Sequence, residues 1–196
     1  MSSIVARKAL GAATLADLLA IPEERRFHEL IDGEIVAKEA ASGRHGGAQG
    51  RVFRHLEPFD RKPGGRAPGG WIFATGVDVF LDSQNTFRPD VLGWRREHLP
   101  ELPVEVPLRV RPDWICEVLS TNKRNDLVKK KRVYHQHQVP HYWIVDPAEQ
   151  TLSVYRWSRE GYLEVLVTER GERVRAEPFD AIELSVGVFF GDDPDD

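Results

Sequence analysis

The sequence predicts one α/β domain, and three observations carry the prediction. "DWICEVLS", residues 113–120, is apolar on both faces of an extended chain, as a strand inside a sheet must be. "DLVKKKRVYHQHQ" follows as a helix ending before Pro140, and "HYWIVD" then gives a second strand. Further on, "TLSVYRW" and "YLEVLVTE" alternate about a turn at residues 158–161, the pattern of an antiparallel hairpin.

The preceding elements read in order. "TLADLLAIPEE" is a short amphipathic helix capped by Thr14, and residues 1–26 form an N-terminal helical segment of the same domain. In "RFHELIDGEIVAKEA" two apolar runs flank Asp32-Gly33, a dipeptide that supplies positive φ, so residues 27–38 form a β-hairpin. Val52, Phe53, Leu56 and Phe59 recur at helical spacing and predict a helix from about His45 to Pro58. "DRKPGGRAPGG" is a loop rich in turn formers, "WIFATGVDVFL" is a strand, and a turn at residues 82–86 returns the chain into "RPDVLGW". Residues 97–111 hold three prolines and read as a connection, and Asn125 or a neighbour caps the following helix. Residues 27–190 make a single domain, and "GDDPDD" at 191–196 is an acidic tail.

Composition sets bounds on function. The 196 residues are 41% hydrophobic and 30% charged, enough for one sizeable core. A net charge of -4 excludes a protein that coats nucleic acid by bulk charge. Local basic runs, "RVFRHLEPFDRKPGGR" and "NKRNDLVKKKR", remain available as phosphate contacts, with Lys123 and Arg124 in the second. The lone Cys116 lies in an apolar run and reads as a small buried hydrophobe, and a reducing cytoplasmic setting fits. No stretch is apolar over the ~18 residues a membrane span requires.

One residue breaks the apolar pattern. Glu117 stands among Trp114, Ile115, Cys116, Val118 and Leu119, where a charge is costly unless paired. Asp90, after Pro89 at the start of "VLGW", can meet it on a neighbouring strand, and two convergent carboxylates suit a hard cation such as Mg²⁺. Asp126, Lys130 and Tyr134 are spaced i, i+4, i+8 and share a helix face, drifting about 40° per step. A lysine there can stabilise charge building on a phosphate. Taken singly, the same residues have plainer roles: Asp90 as a turn residue, Asp126 as a favourable helix N-terminal charge, Tyr134 as a packed aromatic, and Asp78 as half of an ion pair. "HQH" at residues 135–137 does not share a helix face and reads as no zinc site.

The order "FHELIDGEIV", "RPDV", "PDWICEVLS", "NDLVKKKRVYHQHQVPHYWIVD" resembles the Uma-two family of the PD-(D/E)XK restriction-endonuclease-like superfamily over about residues 27–155. The resemblance implies a restriction-endonuclease-like core, a central mixed β-sheet flanked by helices with additional β-hairpins. It further implies a Mg²⁺ site, with Mn²⁺ as a substitute, on Asp90 and Glu117, and DNA as substrate. The superfamily's usual lysine, two residues after the second acid, is Leu119 here. The family pattern moves that lysine to the following helix and so to Lys130. By the same resemblance Glu29 and His45 face the site, Glu29 as a further carboxylate and His45 as a phosphate or water contact. The expected activity is hydrolysis of DNA phosphodiesters through a Mg²⁺-bound water, by a chain that could work as a homodimer. The alternative, motivated by Leu119, is a catalytically silent scaffold binding nucleic acid or a protein partner.

Overall fold

The computed structural model describes residues 12–120 and 123–193. Helix α1 (Leu15–Leu19) opens with a capping box: Thr14 and Asp17 each bond the other's backbone N–H. Strands β1 (His28–Ile31) and β2 (Glu34–Ala37) pair antiparallel across Asp32 (φ 51°) and Gly33 (φ 74°), the twin positive φ of a tight hairpin turn. Helix α2 (Gly43–His55) is capped by Ser42, whose hydroxyl accepts from the His45 N–H. It begins two residues before the expected start and stops three before Pro58.

The expected strand over 71–81 is two strands in two sheets. β3 (Trp71–Ala74) pairs with β6 (Val91–Arg95), whereas β4 (Val79–Asp82) pairs with β5 (Asn85–Phe87). Between them Gly76 takes φ 65°, a conformation that ends an extended run and that glycine adopts without penalty. An apolar sequence long enough for one strand therefore crosses from one sheet to the other.

The main sheet contains β7 (Trp114–Val118), β8 (His141–Asp146), β9 (Thr151–Ser158) and β10 (Gly161–Glu169), in the order β10-β9-β8-β7-β6-β3. It is mixed: β7 and β8 run parallel and the other neighbours antiparallel. The four-stranded second sheet has the order β2-β1-β5-β4. Every β7 residue is buried, and its side chains alternate between two cores. Trp114, Cys116 and Val118 join the core under α2, while Ile115 and Leu119 join the core shared with the small sheet. Glu117 lies on the second face, so burial on both sides of β7 is what gave its sequence no polar alternation.

The β7–β8 crossover carries a wide π-helical turn (Asn125–Lys130) that runs into α3 (Lys131–Gln136). Residues 123 and 124 are already helical, so Asn125 lies inside the helix and no side-chain cap forms there. Strands β11 (Arg173–Val174) and β12 (Leu184–Ser185) form a two-stranded ribbon. Of the acidic tail, Asp192 is paired with Arg170, and residues 194–196 lie outside the described residues; so do residues 1–11 of the N-terminal segment. No helix among the described residues is long and apolar enough to cross a membrane.

Candidate active site

Antiparallel pairing of β6 with β7 places Val91 opposite Cys116, so Asp90 and Glu117, the next residues along, meet at one end of the main sheet. Both are buried, Asp90 4% and Glu117 1% exposed. Asp90 is held on both oxygens. Its Oδ2 accepts the Val118 N–H at 2.8 Å, and its Oδ1 lies 3.0 Å from Lys38 Nζ and 3.3 Å from His45 Nε2. The Gln49 amide donates to the Asp90 carbonyl at 2.7 Å. Burial works against the Asp90 anion, but the His45 hydrogen bond and the charges of Lys38, His45 and Lys130 prevail and hold its carboxyl well below the usual range.

Glu117 has the opposite balance. Burial pushes its carboxyl up to about 8, with Asp126 and Asp90 adding to the effect against the pull of Lys130. Lys130 Nζ stands 3.2 Å from Glu117 Oε1, 2.9 Å from Glu29 Oε1 and 3.0 Å from Asp126 Oδ1. Burial disfavours the ammonium, and the carboxylates of Glu117, Glu29 and Asp126 together overcome that and keep it charged. The Tyr134 hydroxyl, buried and kept protonated, donates to Glu117 Oε1 at 2.7 Å. Glu29 also accepts the Arg88 N–H at 2.8 Å, tying the small sheet to the cluster.

The structure thus brings together Asp90, Glu117, Lys130, Glu29 and His45. Lys123 instead bonds Asp146 at 2.6 Å, and Arg124 is exposed beside it. Asp126 is not simply a terminal helix charge, because its carboxylate faces Lys130 from one turn away. Asp78 is ion-paired with Arg88, with bonds of 2.8 and 2.9 Å. Sequence reasoning missed Lys38, Gln49 and Arg88; only the hairpin register and the packing of α2 place these against Asp90 and Glu29. A lone lysine at the end of a hairpin carries no signal that distinguishes it from a solvated one.

Glu29, Lys38, Asp90, Glu117, Asp126 and Lys130 line a pocket of about 40 Å³. With Glu39, which also lines it, five carboxylates face the two ammonium groups and the His45 imidazole there, a surplus of acid. No group of three or more His, Cys, Asp or Glu side chains among the described residues is arranged to hold a metal ion. Asp90 and Glu117 are left as two hard oxygen donors, the number a Mg²⁺ ion takes when water and substrate phosphate complete its shell.

A mixed sheet with paired acids at its end and a lysine entering from the next helix is the arrangement expected of a restriction-endonuclease-like core. The chain belongs to the Uma2 family, described as "Putative restriction endonuclease", whose model matches residues 15–187. Among solved structures it is similar to one described as a putative nuclease belonging to DUF820 from Anabaena variabilis ATCC 29413. The two share 24% identity and a TM-score of 0.72, over 90% of this chain and 97% of that one, a likeness of fold. No curated protein matches the chain.

Proposed function

We propose that the protein is a divalent-metal-dependent endonuclease that hydrolyses DNA phosphodiester bonds at the Asp90–Glu117 pocket. The observation that carries this reading is the surplus of buried acid. Glu117 keeps its proton up to about pH 8 in a pocket where a divalent cation would neutralise it instead. Asp90 and Glu117 would hold that cation. When bound, it would supply positive charge against the phosphate and acidify water for attack.

The protein's own groups have separable tasks. Lys38 and His45 keep Asp90 ionised and aimed, and Tyr134 fixes the Glu117 carboxyl. Lys130 keeps a fixed positive charge in a dry site, where it opposes the negative charge that grows on phosphate during displacement. Reaching the pocket from a helix, it occupies functionally the place that Leu119, packed in the core, does not supply.

The test is nicking of supercoiled plasmid with Mg²⁺ or Mn²⁺, beside Glu117→Gln and a chelator control. Metal-dependent nicking lost in the variant supports the proposal; folded wild-type protein that cuts neither plasmid nor single-stranded DNA with either metal overturns it. A silent scaffold is the second reading, favoured by one observation: Lys130 already has three carboxylate partners. It predicts that Mg²⁺ does not bind.

A further inference from the structure

Beside the acidic pocket runs a second, larger cavity of about 690 Å³, within the ~300–1,000 Å³ usual for small-molecule sites. Lys38, His45 and Asp90 line both, so the two adjoin. On the rim of the larger one is Phe27, 65% exposed, the most exposed aromatic among the large hydrophobics. Its backbone is fixed: its N–H donates to the Arg25 carbonyl at 2.9 Å and its carbonyl accepts the Lys38 N–H at 2.8 Å. The ring is therefore presented on the same hairpin rung whose other member, Lys38, holds Asp90.

Two buried nitrogens in the same cavity lack partners. His28 Nδ1 and His45 Nδ1 make no hydrogen bond, although the rest of the Asp90 surround is closely paired. A water-excluded polar atom without a partner is costly, so a turn of either imidazole that brings its nitrogen to a ligand is favoured. The cavity thus offers an exposed ring, mostly apolar walls and two imidazole side chains in its lining. A stacked duplex hides its base faces, so a flat heterocycle reaches Phe27 only when unstacked.

We propose that this cavity holds one unstacked nucleobase of the strand being cut, stacked on Phe27 with its edge toward the His28 and His45 imidazoles, and with the adjacent phosphate directed toward Asp90. The proposal rests on the nuclease reading of the neighbouring pocket and adds the form of the substrate: single-stranded DNA or a base extruded from a duplex. Stacking on an aromatic tolerates any base, so it sets strand form rather than sequence.

The experiment is fluorescence-anisotropy titration of the full chain, carrying Glu117→Gln to prevent cutting, with a short single-stranded oligodeoxynucleotide and an abasic strand of equal length. A duplex of the same length, with and without a central mismatch, is the third arm. The base-bearing strand should bind roughly tenfold more tightly than the abasic one. Phe27→Ala should erase the difference, and Phe27→Trp should restore it. Preference for the mismatched over the matched duplex identifies extrusion, and preference for the single strand over both identifies a single-strand substrate. Equal affinity for base-bearing and abasic strands, or a Phe27→Ala protein that keeps the tenfold gap, overturns the base pocket. Plasmid nicking by the unsubstituted chain judges the nuclease reading separately; binding of no strand at all overturns the pocket, whatever nicking shows.

Discussion

Lys130 and Glu117, thirteen residues apart, meet with Nζ 3.2 Å from Oε1 in an interior that exposes 2% and 1% of their surfaces. Their pairing joins helix to strand at the sheet end where the acids converge. It also places the proposed chemistry and part of the protein's stability in the same contact, which makes the two separable only by choice of substitution.

Glu117→Gln should abolish plasmid nicking, by roughly 100-fold or more, the scale seen when one electrostatic group of an active site is removed. The fold should survive, because glutamine is isosteric and its amide oxygen can still accept from Tyr134. Circular dichroism melting beside the nicking assay checks both halves; a variant that cuts at the wild-type rate removes Glu117 from the site.

Lys130→Met should destabilise the protein by about 3–5 kcal/mol at pH 8, since it leaves Glu29, Glu117 and Asp126 buried without their shared cation. The loss should shrink at pH 5, where the orphaned carboxyls can take up protons. Urea midpoints at the two pH values measure this. An equal loss at both would mean that lost packing, not charge, is the cause.

Metal-free protein should be most stable near pH 6.5. Burial lowers His55 to about 4 and, helped by Arg95 and Arg156, lowers His141 to about 4. Between about 4 and 6.5 the unfolded chain therefore binds more protons at these two histidines, and stability falls as pH drops. Glu117, raised to about 8, acts in the other sense: above its unfolded pKa of 4.5 the folded state holds the extra proton, so stability falls as pH climbs toward 8. Asp126, which burial also raises, acts in the same sense as Glu117; the two histidines oppose these carboxyls below 6.5, and above it the carboxyls are unopposed by them. Thermal melts in chelator should trace this maximum, and Glu117→Gln should flatten the alkaline limb.

Mg²⁺ or Mn²⁺ added to chelator-treated protein should raise the melting temperature, equivalent to about 2.7 kcal/mol at a hundredfold excess over Kd. The rise should vanish in Glu117→Gln. Absence of any rise in the wild type would favour the silent scaffold.

Lys38→Gln should move the acidic limb of the nicking pH profile upward, because its ammonium, beside Asp90, also lowers Glu117, the site carboxyl that gives up its proton last. A pH–rate profile in which only the plateau falls would assign Lys38 to DNA binding instead.

Much of the architecture was legible because local chemistry and tertiary packing agree. Asp32-Gly33 specifies its hairpin, Thr14 its helix start, and the two-sided apolar run of β7 its place inside the sheet. Glu117 announced itself by the same logic, as the one charge in a run with no polar face.

The sequence by itself determined the order of the elements, the anomaly at Glu117 and the acid and lysine candidates around it. Tertiary structure decided which of them touch. Gly76 diverts an apolar run between two sheets, so that β5 and Arg88 lie against Glu29. A π-helical turn carries Asp126 and Lys130 toward the strand, and hairpin register delivers Lys38 to Asp90 across 52 positions. These contacts depend on how distant surfaces pack rather than on local propensity. An unpaired lysine in sequence costs nothing to leave in water, and only burial in the folded chain makes its choice of partner decisive.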